Sequence, residues 1–326
     1  ISCNGREARA WPCDEEHHPT TWAVRESRKL ITQSDVNKPM FMVSSYYAPH
    51  PPFFPPARYM NPFYNKPLPD TAIGSWATKP PQESYKDNVD AFRVNLEGKD
   101  LRDAQAGYFG LIEQIDDLMP GLVADFKKTS EDQNRDWLII LTSDHGEMLG
   151  DHYLFRKCEP YEGSSRIPFL ICGSKGLNLQ SENKCDTPVC LEDIMPTLLD
   201  LANVPIPDHI DGKNLMPILK GQKHKVRDIL HGEHSTCYDT EQAYHSLTDG
   251  IYKYIWRPAN GNEQLFNLQD DPSELNNLRD NPDHSENIKI WRTAMIKKLK
   301  DRPEGFSDGN KLIANCTYGP VLETIK

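Results

Sequence analysis

Between Leu101 and Lys128, apolar residues recur at three- and four-residue steps: Tyr108, Leu111, Ile112, Ile115, Leu118, Met119, Leu122 and Phe126. A few residues later the period changes to the unbroken run Trp137-Leu-Ile-Ile-Leu141. The first pattern is one face of a long helix; the second is a short strand with no polar face. A helix feeding a strand that is apolar on both sides is the feature that most constrains this chain, because such a strand needs cover above and below. Pro39-Met-Phe-Met-Val-Ser44 and Arg166-Ile-Pro-Phe-Leu-Ile-Cys172 have the same character, and Thr21–Thr32 and Glu192–Leu201 read as further helices. This alternation predicts an α/β fold with a mostly parallel sheet sandwiched by helices.

The pattern changes after about Val226. Short runs at His245–Leu247, Tyr252–Trp256 and Gln264–Asn267 are separated by Asp249-Gly250 and Asn260-Gly-Asn262, which is hairpin punctuation. Ile288–Leu299 follows as a helix with Ile290, Trp291, Met295 and Leu299 on one side. A small C-terminal antiparallel sheet plus one helix is predicted. The domains are then residues 1–225, the α/β part, and 226–326, the antiparallel part.

Charge narrows the partners. The 326 residues carry 37 Lys+Arg against 48 Asp+Glu, a formal charge of −11, so no basic stripe is available for a nucleic-acid backbone. The apolar runs fall far short of the roughly 18 residues of a membrane span. Eight cysteines without a C-x-x-C pair leave connectivity and compartment open, with Cys185/Cys190 and Cys3/Cys13 spaced to close short loops or to remain free thiols. Asn315-Cys-Thr317 is an N-x-T sequon.

Two loops carry chemistry. Thr142-Ser-Asp-His-Gly-Glu-Met-Leu-Gly-Asp-His-Tyr-Leu-Phe-Arg-Lys157 leaves the apolar strand directly, which puts Asp144 and His145 at its carboxyl end, where open α/β sheets bind ligands. A carboxylate beside an imidazole suits a divalent metal, and Lys157 offers a cation to an anionic group. His152 and Arg156 lie in the same loop as candidate pocket-lining residues. The second loop, Ser45-Tyr-Tyr-Ala-Pro-His-Pro-Pro-Phe53, follows the run at 40–44 and sets His50 between prolines as a candidate proton donor or anion binder. Its aromatics Tyr46, Tyr47, Phe53, Phe54, Tyr59 and Phe63 form either a wall for a substrate ring or the packing of the loop on itself. His231 and His234, which open the C-terminal part, read as a pocket rim or a surface cluster.

Together these segments resemble the sulfatases, the formylglycine-dependent branch of the alkaline phosphatase superfamily. The resemblance rests on Pro49-His-Pro-Pro-Phe53, on Thr142–Lys157, on Glu162-Gly-Ser-Ser-Arg-Ile-Pro-Phe-Leu170, and on Asp193-Ile-Met-Pro-Thr-Leu-Leu-Asp-Leu-Ala202 with Pro205 and Asp211-Gly212. Tyr252–Trp256 and Gln264–Leu278 look like the family's closing subdomain, so the likeness covers about residues 20 to 300. It implies an alkaline phosphatase-like fold and sulfate-ester hydrolysis. By position it makes Asp144 and His145 ligands of Ca²⁺, or Mg²⁺, and makes Lys157 a sulfate-binding cation. His50 becomes a sulfate contact that protonates the leaving alcohol.

The family's nucleophile is a formylglycine made from Cys or Ser in C/S-x-P-x-R, and this sequence contains no such motif. The resemblance therefore implies the C-terminal portion of a sulfatase, with the nucleophile and the remaining metal ligands in an N-terminal segment not present here and this chain inactive alone. Its implied substrate is a sulfated glycan or small aryl sulfate, and its implied location periplasmic or secreted. The alternatives are a phosphonate monoester or phosphodiester hydrolase of the same superfamily and a non-catalytic fragment.

Overall fold

The computed structural model describes residues 5–81, 92–180, 184–237 and 240–315. Pro19 opens helix α1 (Pro19–Thr32), where a missing N–H costs nothing, and the His18 ring accepts the Thr20 N–H as its cap. After the short α2 (Ala57–Met60), the long periodic pattern forms α3 (Gly98–Asp132), which runs a turn beyond the expected span and stays helical through Pro120. Val24 and Ile31 of α1 pack with Leu118, Met119, Leu122 and Phe126 of α3. The loop from Tyr46 to Pro81 is irregular apart from α2 and one 3₁₀ turn, as its prolines require.

The run at Pro39–Ser44, expected as a buried strand, forms no strand: Met40, Met42 and Tyr46 pack on the α1–α3 core, while Phe41 and Val43 are 77% and 73% exposed. Strand β1 (Leu138–Thr142) is followed by α4 (Glu162–Ser165) and then by β2 (Phe169–Gly173). β1 and β2 pair antiparallel, Leu138 opposite Gly173 and Thr142 opposite Phe169. The α/β class is as expected. The parallel order is not what these strands show: among the described residues, the ladders between strands are all antiparallel. The reason is the connection. Residues 143–168 hold no helix long enough to carry the chain back across the sheet, so it returns beside β1 in the opposite sense, and an unbroken apolar run reads the same in either direction. Nor is this sheet covered on both faces. Leu141 and its partner Leu170 are exposed, as is Cys172 in the same row.

Beyond α5 (Ile194–Leu201) and α6 (Met216–Leu219), the expected C-terminal sheet is present. Its antiparallel order is β3 (Leu230–His234), β4 (Tyr244–Thr248), β5 (Tyr252–Trp256) and β6 (Glu263–Asn267). Asp249 accepts from the N–H groups of Ile251 and Tyr252 and so closes the β4–β5 turn, with Gly250 at φ +92°. Strand β3 escapes sequence reading because Leu-His-Gly-Glu-His lacks apolar alternation. Helix α7 (Ser285–Leu299) lays Ile288, Trp291, Met295 and Leu299 on Leu247, Tyr254, Trp256 and Leu265, while Ile290, expected on that side, is exposed. The other face of the sheet, through Tyr244, Ile255 and Phe266, shares a core with Phe92, Met148, Leu154 and Tyr161. That shared core holds the C-terminal sheet against the loop that carries the candidate site.

No helix among the described residues is long and apolar enough to cross a membrane. Cys185 and Cys190 are both free thiols, as are Cys13, Cys158, Cys172 and Cys237; Cys3 and Cys316 of the sequon fall outside the described residues.

Candidate active site

β1 delivers the chain to Ser143, whose hydroxyl donates to the His145 carbonyl at 2.6 Å. The next turn is tight against α4. Gly146 N–H donates to Ser164 O at 2.8 Å, and a Cβ at Gly146 would stand 2.2 Å from the Gly163 carbonyl, so only glycine fits. Asp144 points out, its side chain 83% exposed, with its Oδ2 3.6 Å from His145 Nε2. His145 Nδ1 lies 2.8 Å from the Gly146 carbonyl, which accepts its proton and leaves the Nε2 lone pair aimed toward Asp144.

Residues 149–158 are held in an unusual backbone conformation. Leu149, His152, Tyr153, Arg156 and Cys158 all have positive φ, whereas most other non-glycine positive-φ positions are asparagines, which tolerate that region. Such concentrated strain persists only where the surroundings over-determine it. Here the Glu147 carboxylate accepts the N–H groups of both Leu149 and Arg156. Withdrawal from water raises that carboxyl's pKa to about 7. Phe155 N–H reaches Phe92 O, and Val94 N–H reaches Tyr153 O. Lys157 is thus fixed between two left-handed residues.

The structure brings His50 and Lys157 together across 107 positions of sequence, with Nζ 2.6 Å from His50 Nε2. His50 Nδ1–H donates to Pro51 O at 2.7 Å, so Nε2 accepts from the ammonium. Burial lowers the His50 pKa; the Pro51 carbonyl opposes this, and the charges of Lys157, His145 and Arg156 add to the lowering. The His145 ring centroid is 5.8 Å from that of His50. His50, Lys157, His145 and Asp144 therefore form one contiguous group.

The other candidates fare differently. His152 is buried, accepts the Gly74 N–H on Nδ1, and packs at a tilt against the rings of Trp76 and Tyr161, while burial pulls its pKa down to about 4. It packs the loop, and its contacts give no support to the expectation that it lines the pocket. Arg156 is fully buried, its charge felt at His50. Of the proline-loop aromatics, Phe53, Phe54 and Tyr59 are core, and Tyr47 is the exposed ring beside His50, 4.7 Å from it. His231 joins His245, and His234 stacks on Tyr244. Sequence reading assigned no role to Glu147, which stands two residues past His145 in a loop already rich in charged residues.

Metal-capable groups of three side chains among the described residues are His231/Glu233/His245 and Asp14/Glu16/His17. Asp144 and His145 converge as two donors. Their chemistry suits a hard divalent ion, but Ca²⁺ takes six to eight ligands, so this pair fits part of a shell.

Comparison with known proteins places the chain in a family. The Sulfatase family profile matches residues 4–204, and that of the N-sulphoglucosamine sulphohydrolase C-terminal region matches residues 150–302. An arylsulfatase of Clostridium perfringens is 37% identical over 314 residues, covering 96% of this chain and 64% of that protein. By structure, a protein solved with its substrate D-glucosamine-2-N,6-O-disulfate aligns at TM-score 0.71 and 20% identity, over 86% of this chain and 69% of that one. A phosphonate monoester hydrolase from Silicibacter pomeroyi aligns at 0.73 and 21%, over 92% and 65%. The chain belongs to the sulfatase family, with the alkaline phosphatase-like fold, and spans about three fifths of the curated relative's length.

Proposed function

We propose that the complete protein hydrolyses sulfate esters of a sugar or aryl alcohol and that this chain supplies the anion-binding half of its site. The observation that carries the reading is the Lys157–His50 contact, a cation and an imidazole at 2.6 Å beside the Asp144–His145 pair. Lys157 binds sulfate oxygens as a point charge. A bound anion draws the ammonium off His50 Nε2 and offsets the cations that lower its pKa, so Nε2 can take up a proton and pass it to the leaving alkoxide. Arg156, buried behind the pair, adds positive potential without touching substrate. Asp144 Oδ2 and His145 Nε2 would hold part of the shell of a Ca²⁺ or Mg²⁺ ion. The ion stabilises negative charge on the transferring group, and the formylglycine supplies the nucleophile.

Two features support completion by an N-terminal segment of the full protein. The metal pair is a partial shell, and Leu141 and Leu170 leave one face of the two-stranded β1–β2 sheet uncovered, with Phe41 and Val43 exposed as well. The segment would cover that face while bringing the formylglycine and the remaining ligands. Residues 1–225 then form the catalytic part, 226–326 close it, and the setting is periplasmic or secreted.

The test is sulfate release from an aryl sulfate and from sulfated sugars, beside phosphonate monoesters. It uses full-length protein matured by a formylglycine-generating enzyme, with the 326-residue chain run in parallel. Sulfate release by the extended protein alone, lost in Lys157→Ala, is the expected result. Preferential phosphonate turnover, or silence in both proteins, overturns it.

A further inference from the structure

The C-terminal sheet carries a second cluster, built from other residues. His231 and Glu233 stand two apart on β3 and so project from one face, and the ladder sets Glu233 opposite His245 of β4. The three side chains meet: His245 Nδ1 is 3.1 Å from His231 Nε2 and 3.3 Å from Glu233 Oε2. Ligand atoms sharing a tetrahedral zinc ion at bonds near 2.0–2.1 Å lie about 3.3–3.4 Å apart, so these separations need little change to accept one. His245 is 1% exposed and wedged against Phe306 and Trp256, which fixes its ring. His231 is half-buried and Glu233 more open, so both are free to adjust.

We propose that His231 Nε2, His245 Nδ1 and Glu233 form a binding site for a zinc-class divalent ion that ties β3 to β4, with a fourth position open to water. Two imidazoles and one carboxylate favour such an ion over Ca²⁺, which takes oxygen ligands. The two rings lie within 9° of parallel, their centroids 5.3 Å apart and their facing nitrogens in contact. Two cations must coexist with the ion: Lys298, whose charge reaches His231, and Arg302, 3.0 Å from Glu233. Arg302 already has a second carboxylate, Glu304 at 2.7 Å, to which it can turn when Glu233 binds metal.

The test is calorimetric titration of zinc chloride into EDTA-treated, then calcium-saturated full-length protein, with melting temperature read in parallel. Wild type and Asp144→Ala should each bind one zinc equivalent and melt several degrees higher with it. His231→Ala and Glu233→Gln should bind more than about 100-fold more weakly, since loss of a direct ligand costs at least what loss of a ligand's supporting partner does, and should lose the zinc-dependent rise. His245→Ala is avoided because its buried ring packs the core. Absence of zinc binding, zinc binding abolished by Asp144→Ala alone, or unchanged affinity in His231→Ala and Glu233→Gln overturns the proposal.

Discussion

Lys253→Met tests how the C-terminal sheet holds the candidate site. Lys253 stands on β5, 4% exposed, and its ammonium donates to Pro160 O at 2.8 Å, Glu162 Oε1 at 2.6 Å and Glu274 Oε1 at 2.9 Å. Glu274, 1% exposed, in turn accepts the Glu162 N–H at 2.7 Å. Methionine keeps the length of the stem and removes the charge, leaving the buried Glu274 carboxylate without its cation and Glu162 with only the exposed Arg166, 3.5 Å away. Breaking a buried pair from one side costs about 3–5 kcal/mol. Unfolding entropy of about 2.1 cal/mol/K per residue gives roughly 0.7 kcal/mol/K for a chain of this length, so the melting temperature should fall by about 4–7 °C. Burial already raises the Glu274 pKa, and losing Lys253 raises it further. Glu274 is then protonated on acidification, so the deficit should be smaller at pH 5 than at pH 8. Adding Glu274→Gln should recover part of it, because the second substitution removes the stranded charge. Scanning calorimetry of the two single variants and the double variant decides the matter. A fall under about 1 °C, or strict additivity in the double variant, refutes the reasoning.

The remaining expectations concern the site and its scaffold. In the full-length enzyme, Lys157→Ala should lower kcat/KM for a sulfate ester by roughly 10²–10⁴-fold with the melting temperature nearly unchanged, and near-normal turnover removes Lys157 from the site. The same change deletes one of the cations that lower the His50 pKa, so the alkaline limb of the pH–rate profile, where His50 loses the proton it donates, should move upward; a downward shift contradicts the assignment of that limb to His50. His50→Ala should hurt esters of poor leaving groups more than activated aryl sulfates, and an equal loss across both makes His50 an anion contact only. His152 is neutral in the fold to about pH 4 but titrates near 6.5 when unfolded, so stability should fall as pH drops between those values, by about 3 kcal/mol in total. In His152→Gln that part of the slope should vanish in urea titrations. Asp193, fully buried, accepts from Arg227 and from the backbone of Cys190 and Lys213. Asp193→Asn should cost about 3–5 kcal/mol by stranding Arg227, and a loss under about 1 kcal/mol by urea titration removes the pair as a clasp.

Sequence by itself determined the long helix, the apolar runs, the hairpins with their closing helix, and the family. These are written in local periods, in turn residues and in short contiguous motifs such as Thr142–Lys157. It placed His50 and Lys157 as separate candidates, but their contact depends on how a proline loop and a strained loop fold onto each other, which no local pattern encodes. Strand direction was equally hidden. Apolar runs are symmetric in sense, and only the connection from β1 to β2 made that pair antiparallel. His152 was a candidate because it neighbours Arg156 and Lys157 in sequence; its left-handed backbone and its contact with Trp76 are visible only in the fold. Glu147 and the His231–Glu233–His245 cluster were decided by tertiary structure alone. A carboxyl acquires its role from the N–H groups that surround it, and three side chains from two strands become one cluster only when the ladder sets their register.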